Sequence, residues 1–230
     1  MFEIDVLLPD FWEILGALPV TLAMAVAVFA CSTVLGALFA TVEYRRIPVL
    51  RELVVAYKII FKGVPMVVVI FLAYYGLPAT LGFLASLVGI DYNGHTTPNW
   101  ITLIVALTLC MAAFQAEVAK GALNSFDKGQ ADAAYSLGYS SGQLFRRVLF
   151  PQSVVAAIPD LANSIMVIMK ALSLGFAIEV VDIFAQSQLT AALNFYYLEA
   201  FAVAVAIYMM IAYVVTWIAD RLEASLRIKT

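Results

Sequence analysis

Five long apolar runs constrain this chain more than anything else in it. They cover about residues 17–41, 63–88, 101–122, 156–178 and 197–218, and each matches or approaches the length of helix that crosses a hydrocarbon core of about 30 Å. Apolar residues make up 64% of the 230 residues and charged residues 13%. A soluble domain holds about 45–50% apolar residues, so lipid must be the solvent for much of this surface. The expectation is an all-α polytopic membrane protein with five transmembrane helices in a single domain, 1–230. Gly16 and Gly36 are tolerated in the first span and allow close neighbours. Gly76 and Pro78 are expected to kink or break the second, which Pro65 opens in its first turn.

The charges then orient the spans. Of 13 Lys and Arg residues, all but Lys170 fall on one side of the five-span model: Arg45, Arg46, Arg51, Lys58, Lys62, Lys120, Lys128, Arg146, Arg147, Arg221, Arg227 and Lys229. The other side, residues 1–16, 78–100 and 179–196, has none. By the positive-inside rule the N-terminus is outside and the C-terminus is in the cytoplasm. Glu43 to Arg46 end the first span in water, and Ile47 to Lys62 read as a helix that emerges from the membrane and turns back.

The N-terminus is acidic and apolar and has no basic residue, unlike a signal peptide. Phe2, Phe11 and Trp12 suit headgroup depth there. Residues 89–100 are turn-rich, and 179–195 are polar again. Cys31 and Cys110 lie in apolar stretches far from any other Cys or His and read as small lipid- or core-facing residues. The one histidine, His95, has no second metal ligand near it and reads as a solvated loop residue. Tyr74, Tyr75, Trp100, Tyr196 and Tyr197 read as interface anchors near span ends.

Gln130 to Pro151, QADAAYSLGYSSGQLFRRVLFP, is the longest polar segment between apolar ones. Helix formers open it, Gly138 and Gly142 interrupt it, and Leu144, Phe145, Val148, Leu149 and Phe150 recur at helical spacing before Pro151 stops the pattern. That pattern predicts a short amphipathic helix, a glycine bend and a second short helix on the cytoplasmic side. Its exposed apolar residues call for a partner to cover them.

Asp132-Ala133-Ala134, three residues, Gly138, nine residues and Val148-Leu149-Phe150-Pro151 resemble the EAA loop of ABC-importer permeases. That pattern is EAA, three residues, Gly, nine residues, I-x-L-P; here Asp replaces Glu, Val replaces Ile and Phe replaces Leu. Glu117 to Ala122, Gly129-Gln130, Gln152, Pro159, Asn163 and Lys170 to Leu174 are similar to the polar amino-acid branch of that family. So is Phe61-Lys62-Gly63-Val64-Pro65, against that branch's F-R-G-T-P. The likeness covers roughly residues 14 to 226.

The resemblance implies a type I importer permease architecture, with 123–152 as a cytoplasmic coupling loop. Asp132, Ala133, Ala134, Leu137, Gly138, Tyr139 and Pro151 would meet a groove on a separate ATP-hydrolysing subunit. It implies further partners: a dimer of those ATPase subunits, a second permease chain (identical or paralogous), an extracytoplasmic solute-binding protein and a polar amino-acid substrate. ATP and Mg would be bound by the ATPase and no cofactor by this chain. No nucleic acid enters the reading, and the location implied is the cytoplasmic membrane of a prokaryote.

Charges inside spans are costly. Lys170 lies about eleven residues into the fourth span, roughly 16 Å along a helix rising about 1.5 Å per residue. Asp160, Asn163 and Lys170 share one helical face with Val167 between them. One reading is a water-accessible path on which Lys170 attracts a carboxylate; the other is a structural or gating clamp with Glu117 or Glu179. Glu117 and Lys120, three residues apart at the cytoplasmic end of the third span, read as an interfacial ion pair that gates or braces the coupling loop.

No G-x-x-x-x-G-K-[ST], H-E-x-x-H or G-x-S-x-G motif appears. The expected chain is therefore not an enzyme, and the resemblance implies the permease subunit of an ATP-driven importer of a polar amino acid. A secondary transporter would use an ion gradient and favour an even repeat. A non-transporting membrane assembly subunit would not need the Asp160–Asn163–Lys170 stripe.

Overall fold

The computed structural model describes residues 3–90, 92, 97–125 and 128–226. Among them there is no strand. His95 and the tail residues Arg227 and Lys229 lie outside the described residues, as does Phe2.

A 3-10 turn (Ile4–Val6) leads into α1 (Leu7–Leu15), α2 (Leu18–Tyr44) and α3 (Leu50–Gly63). Then come α4 (Met66–Leu87), α5 (Asn99–Asn124), α6 (Lys128–Ser136) and α7 (Ser141–Leu144). The chain closes with α8 (Phe150–Leu172), α9 (Ile183–Asn194) and α10 (Tyr197–Leu226). Among the described residues five segments are long and apolar enough to cross a membrane: α2, α4, α5, α10 and a 38-residue segment, Ser141–Ile178, built around α8.

The core gathers on α5, the most enclosed of the five. Leu103, Ala106, Leu107 and Cys110 are fully buried on it against Met24, Val28, Ile168 and Leu172. The backbones of α2 and α5 approach closely at Gly36. A Cβ there would stand 2.6 Å from Gln115 Cβ and 2.8 Å from the Ala116 nitrogen, so only glycine fits. Both thiols are free; Cys110 is buried and Cys31 exposed on the outer face of α2.

Several elements differ from the expectation. α4 is unbroken through Gly76 and Pro78, and the Thr80 hydroxyl donates to the Gly76 carbonyl at 2.8 Å. This serves a carbonyl near the place where proline removes a backbone donor. Pro65 stands just before α4 rather than inside its first turn. Tyr74 and Tyr75 consequently lie midway along α4, not near an end.

α3 is a separate amphipathic helix reached through a turn in which Arg46 and Val49 have positive φ. It buries Val54 and Lys58, and Tyr57 donates to the Leu109 carbonyl of α5 at 2.6 Å.

The polar stretch after Ile178 folds into α9. Asp182 caps it by accepting from the Ala185 N–H at 2.9 Å, and Ile183, Ala185 and Ala191 are buried. α1 packs on α9 and α10, leaving Trp12 exposed while Asp10 is buried and accepts from the Asn194 amide at 3.3 Å.

Candidate functional site

The Gln130–Pro151 stretch, the expected coupling element, is a helix, a glycine bend and a second helix, each joint closed by local hydrogen bonds. α6 ends in a left-handed Gly138, φ 82°. The Gly138 N–H donates to the Tyr135 carbonyl at 2.9 Å and the Tyr139 N–H to the Ala134 carbonyl at 3.1 Å. This is the paired Schellman arrangement, which asks for glycine at that position. Two residues on, Ser140 caps α7. Its hydroxyl accepts from the Gln143 N–H, and the Gln143 side chain accepts from the Ser140 N–H. Such a reciprocal pair satisfies two otherwise orphaned donors.

The element also carries a small core of its own. Ala134, Leu144 and Leu149 are buried together, with Tyr139, Phe145 and Val148 packed against them. Its two ends are tied where the Gln152 amide donates to Gln130 Oε1 at 2.9 Å. Asp132, Ala133, Leu137 and Gly138 point outward, and Leu137 is 78% exposed. Ala134, grouped with the outward residues from the sequence, belongs instead to the inner face; helical periodicity turns it away from Ala133 and toward Leu144.

Pro151 was expected to stop the helical pattern, and the structure corrects this. Residues Phe145–Leu149 form a π-turn that runs directly into α8, with Pro151 in its first turn. A proline lacks the N–H for the i−4 carbonyl and its ring crowds that group. The wider turn just before it accommodates both, so coupling element and span form one continuous helical segment. No loop intervenes between α7 and α8.

On α8 the residues Asp160, Asn163, Val167 and Lys170 share an exposed face. Lys170 lies eight residues before Ile178, the end of that segment, or about 15 Å along α-helical and then 3-10 turns. Among the described residues its side chain makes no ion pair, with Glu117, Glu179 or any other group.

Glu117 and Lys120 do not pair directly. Lys58 of α3 meets Glu117 at 2.8 Å and also pairs with Glu43 of α2, while Lys120 meets Glu43 at 2.7 Å. The chain of alternating charge is Glu117–Lys58–Glu43–Lys120, and it ties three helices at one end. Glu43 is thus buried rather than in water, with its side chain 6% exposed. The sequence held one hint of this: Lys58 sits on the same face of α3 as Val54, among residues otherwise suited to burial. A second buried carboxylate, Asp182, accepts from the Tyr208 hydroxyl at 3.3 Å, and nothing local marks that pair.

A bundle whose long apolar helices suit membrane spans, with a helix–glycine–helix element on one end, defines a polytopic membrane subunit. The family model described as binding-protein-dependent transport system inner membrane component matches residues 32–228, and the chain belongs to that family. It is 32% identical over 222 residues to the probable amino-acid permease protein YxeN of Bacillus subtilis, covering 96% of this chain and 95% of that one. It is 34% identical to the probable amino-acid ABC transporter permease protein PatM of Vibrio harveyi (96% and 93% covered). It is also 34% identical to the L-cystine transport system permease protein TcyL of Bacillus subtilis (90% and 85%). The fold is that of a crystallised amino acid ABC transporter with histidines, at TM-score 0.82 and 20% identity over 98% of this chain and 99% of that one. The inward-facing MetNI methionine ABC transporter gives 0.74 at 19% identity, with 96% and 99% covered.

Proposed function

We propose that this chain is the permease subunit of an ATP-driven importer that moves a polar amino acid inward across a prokaryotic cytoplasmic membrane. The observation that carries the reading is the coupling element. It presents Asp132, Ala133, Leu137 and Gly138 outward from a self-contained core and joins α8 through a continuous helical segment. An exposed leucine beside a glycine bend, with a rigid lever behind it, suits a surface that a separate ATPase dimer grips and moves. The chain acts as one membrane domain with its coupling loop at 123–152. The sorting of its basic residues to one side supports a cytoplasmic position for that loop and the C-terminus.

The exposed Asp160–Asn163–Lys170 face of α8 lines the pathway, where Lys170 attracts the carboxylate that every amino acid carries. Two permease chains enclose that pathway and an extracytoplasmic binding protein delivers the solute. ATP and Mg stay on the ATPase, so the chain itself is not an enzyme. Nucleotide at one end and loaded binding protein at the other bias a two-state shift of the spans. The amino-acid names of the relatives support the substrate class.

The test is uptake of labelled amino acids into proteoliposomes holding the permease, its co-purified ATPase and the binding protein. ATP-dependent uptake of one or a few polar amino acids is expected. If no ATPase co-purifies with the chain, the coupling reading fails.

A further inference from the structure

Between the cytoplasmic end of α2 and the coupling element lie two cavities, of about 440 Å³ and about 360 Å³. They meet along Thr41, Leu123 and Phe145, which line both. Their chemistry differs. The first is walled by Arg45, Arg146, Tyr44, Tyr135 and Ser141. The second is lined by residues of α2, α5 and α8, among them Ala37, Val118, Ala119, Ala122, Val154 and Leu161.

Among the described residues that line the first cavity there is no carboxylate. Among the described residues neither Arg45 nor Arg146 has an ion-pair partner, because the nearby Glu43 is taken by Lys58 and Lys120. Arg46 and Arg147 add positive charge beside them. Two guanidinium groups facing one space call for a planar or tetrahedral oxyanion that accepts several N–H groups at once. Free phosphate would satisfy the first cavity only. A neutral lipid would fill the second and leave the arginines unmatched. A molecule with an anionic head and an apolar tail uses both.

We propose that an anionic phospholipid occupies this pair of cavities, its phosphate between Arg45 and Arg146 and one acyl chain along Ala37, Ala119 and Leu161. The head lies on the basic side of the chain, where anionic headgroups face juxtamembrane arginines. Because Arg45 belongs to the end of α2 while Arg146 and Phe145 belong to the π-turn before α8, the lipid bridges the fixed bundle and the element that must move. It braces the coupling element where Tyr135, Ser141 and Leu144 line the cavity. The proposal does not rest on which solute is carried.

The experiment is native mass spectrometry of the full chain, in the complex with which it purifies, delipidated and titrated with phosphatidylglycerol or phosphatidylcholine. Phosphatidylglycerol is expected to be retained selectively. An Arg45→Gln, Arg146→Gln double variant should bind it about twenty-five-fold more weakly, about fivefold for each lost charge. Arg221→Gln, which removes a guanidinium stacked on Trp217 at the end of α10, should bind as the unaltered chain does. Ala37→Trp, which plugs the apolar cavity, should lose the lipid while keeping both arginines. Inorganic phosphate should not displace it. The proposal is overturned if both lipids are retained equally, if the double variant binds unchanged, or if phosphate alone competes. It is overturned as well if a second copy of the chain fills the cavity, seen as a crosslink from position 37 to the partner.

Discussion

Replacing Lys58 with methionine tests whether the alternating charge chain holds α2, α3 and α5 together. The Lys58 and Glu43 side chains are 8% and 6% exposed, so neither can turn to water when its partner goes. Removing one member of a buried pair costs about 3–5 kcal/mol, because the other charge is left behind uncompensated. Lys120 still stands 2.7 Å from Glu43 and is itself 42% exposed, which keeps the expected loss near the lower end, about 3 kcal/mol. At roughly 2–4 °C per kcal/mol for a chain of this size, the thermal midpoint should fall by about 6–12 °C. The assay is tryptophan fluorescence during heating in detergent. A Lys58→Met, Glu43→Gln double variant removes both buried groups. It leaves Glu117 and Lys120, 43% and 42% exposed, free to pair across one turn of α5 or to reach water. That variant should recover most of the loss. A single variant within about 2 °C of the unaltered chain, or a double variant as unstable as the single, would refute the reasoning.

Other outcomes follow from the same geometry. Gly36→Ala should cost about 1–3 kcal/mol by forcing α2 off the α5 backbone, read as a lower thermal midpoint. Gly138→Val should strain the left-handed joint by about 1–2 kcal/mol. Because the element has its own small core, ATP-driven uptake should collapse while the midpoint of the whole chain barely moves. Lys170→Met should raise the KM for uptake about tenfold, the worth of one charge-assisted hydrogen bond, without changing recovery of the complex. An unchanged KM would assign Lys170 to structure. Burial pushes the Asp182 carboxyl above its ordinary value despite the hydrogen bonds from the Ala185 and Phe184 backbones and Tyr208. A raised folded-state value means that stability is fullest below the unfolded value and is lost as pH rises through the folded one. Asp182→Asn keeps the cap and should flatten that part of the stability–pH curve.

Much of this architecture is written locally. The spans show in hydropathy because each helix must meet lipid with its own side chains, whatever its neighbours are. The joint at Gly138 and Ser140 is equally local, since a Schellman end and a capping box are satisfied within a few residues. Pro151 was misread for a related reason. Proline argues for a stop only if the preceding turn is α-helical, and the π-turn at Phe145–Leu149 depends on packing that a residue pattern does not announce.

The partners of charges were harder to see. Glu117 and Lys120 looked paired because they are one turn apart. The groups that satisfy them come from α3 and α2, 59 and 77 residues away in the chain. Ala133 and Ala134 are alike as letters, yet one faces outward and the other is packed under Leu144.

From the sequence alone come the five membrane helices, the sorting of basic residues to one side, the helix–glycine–helix element and the family. All of these are carried by side chains acting on solvent, lipid or backbone within a few residues. Only the tertiary structure decided that Glu43 and Lys58 are buried together, that α9 is a packed helix, and that a basic cavity and an apolar one share the wall of Thr41, Leu123 and Phe145. Those facts arise where segments distant in sequence meet, and the energy of such a meeting belongs to the pair of surfaces rather than to either stretch of chain.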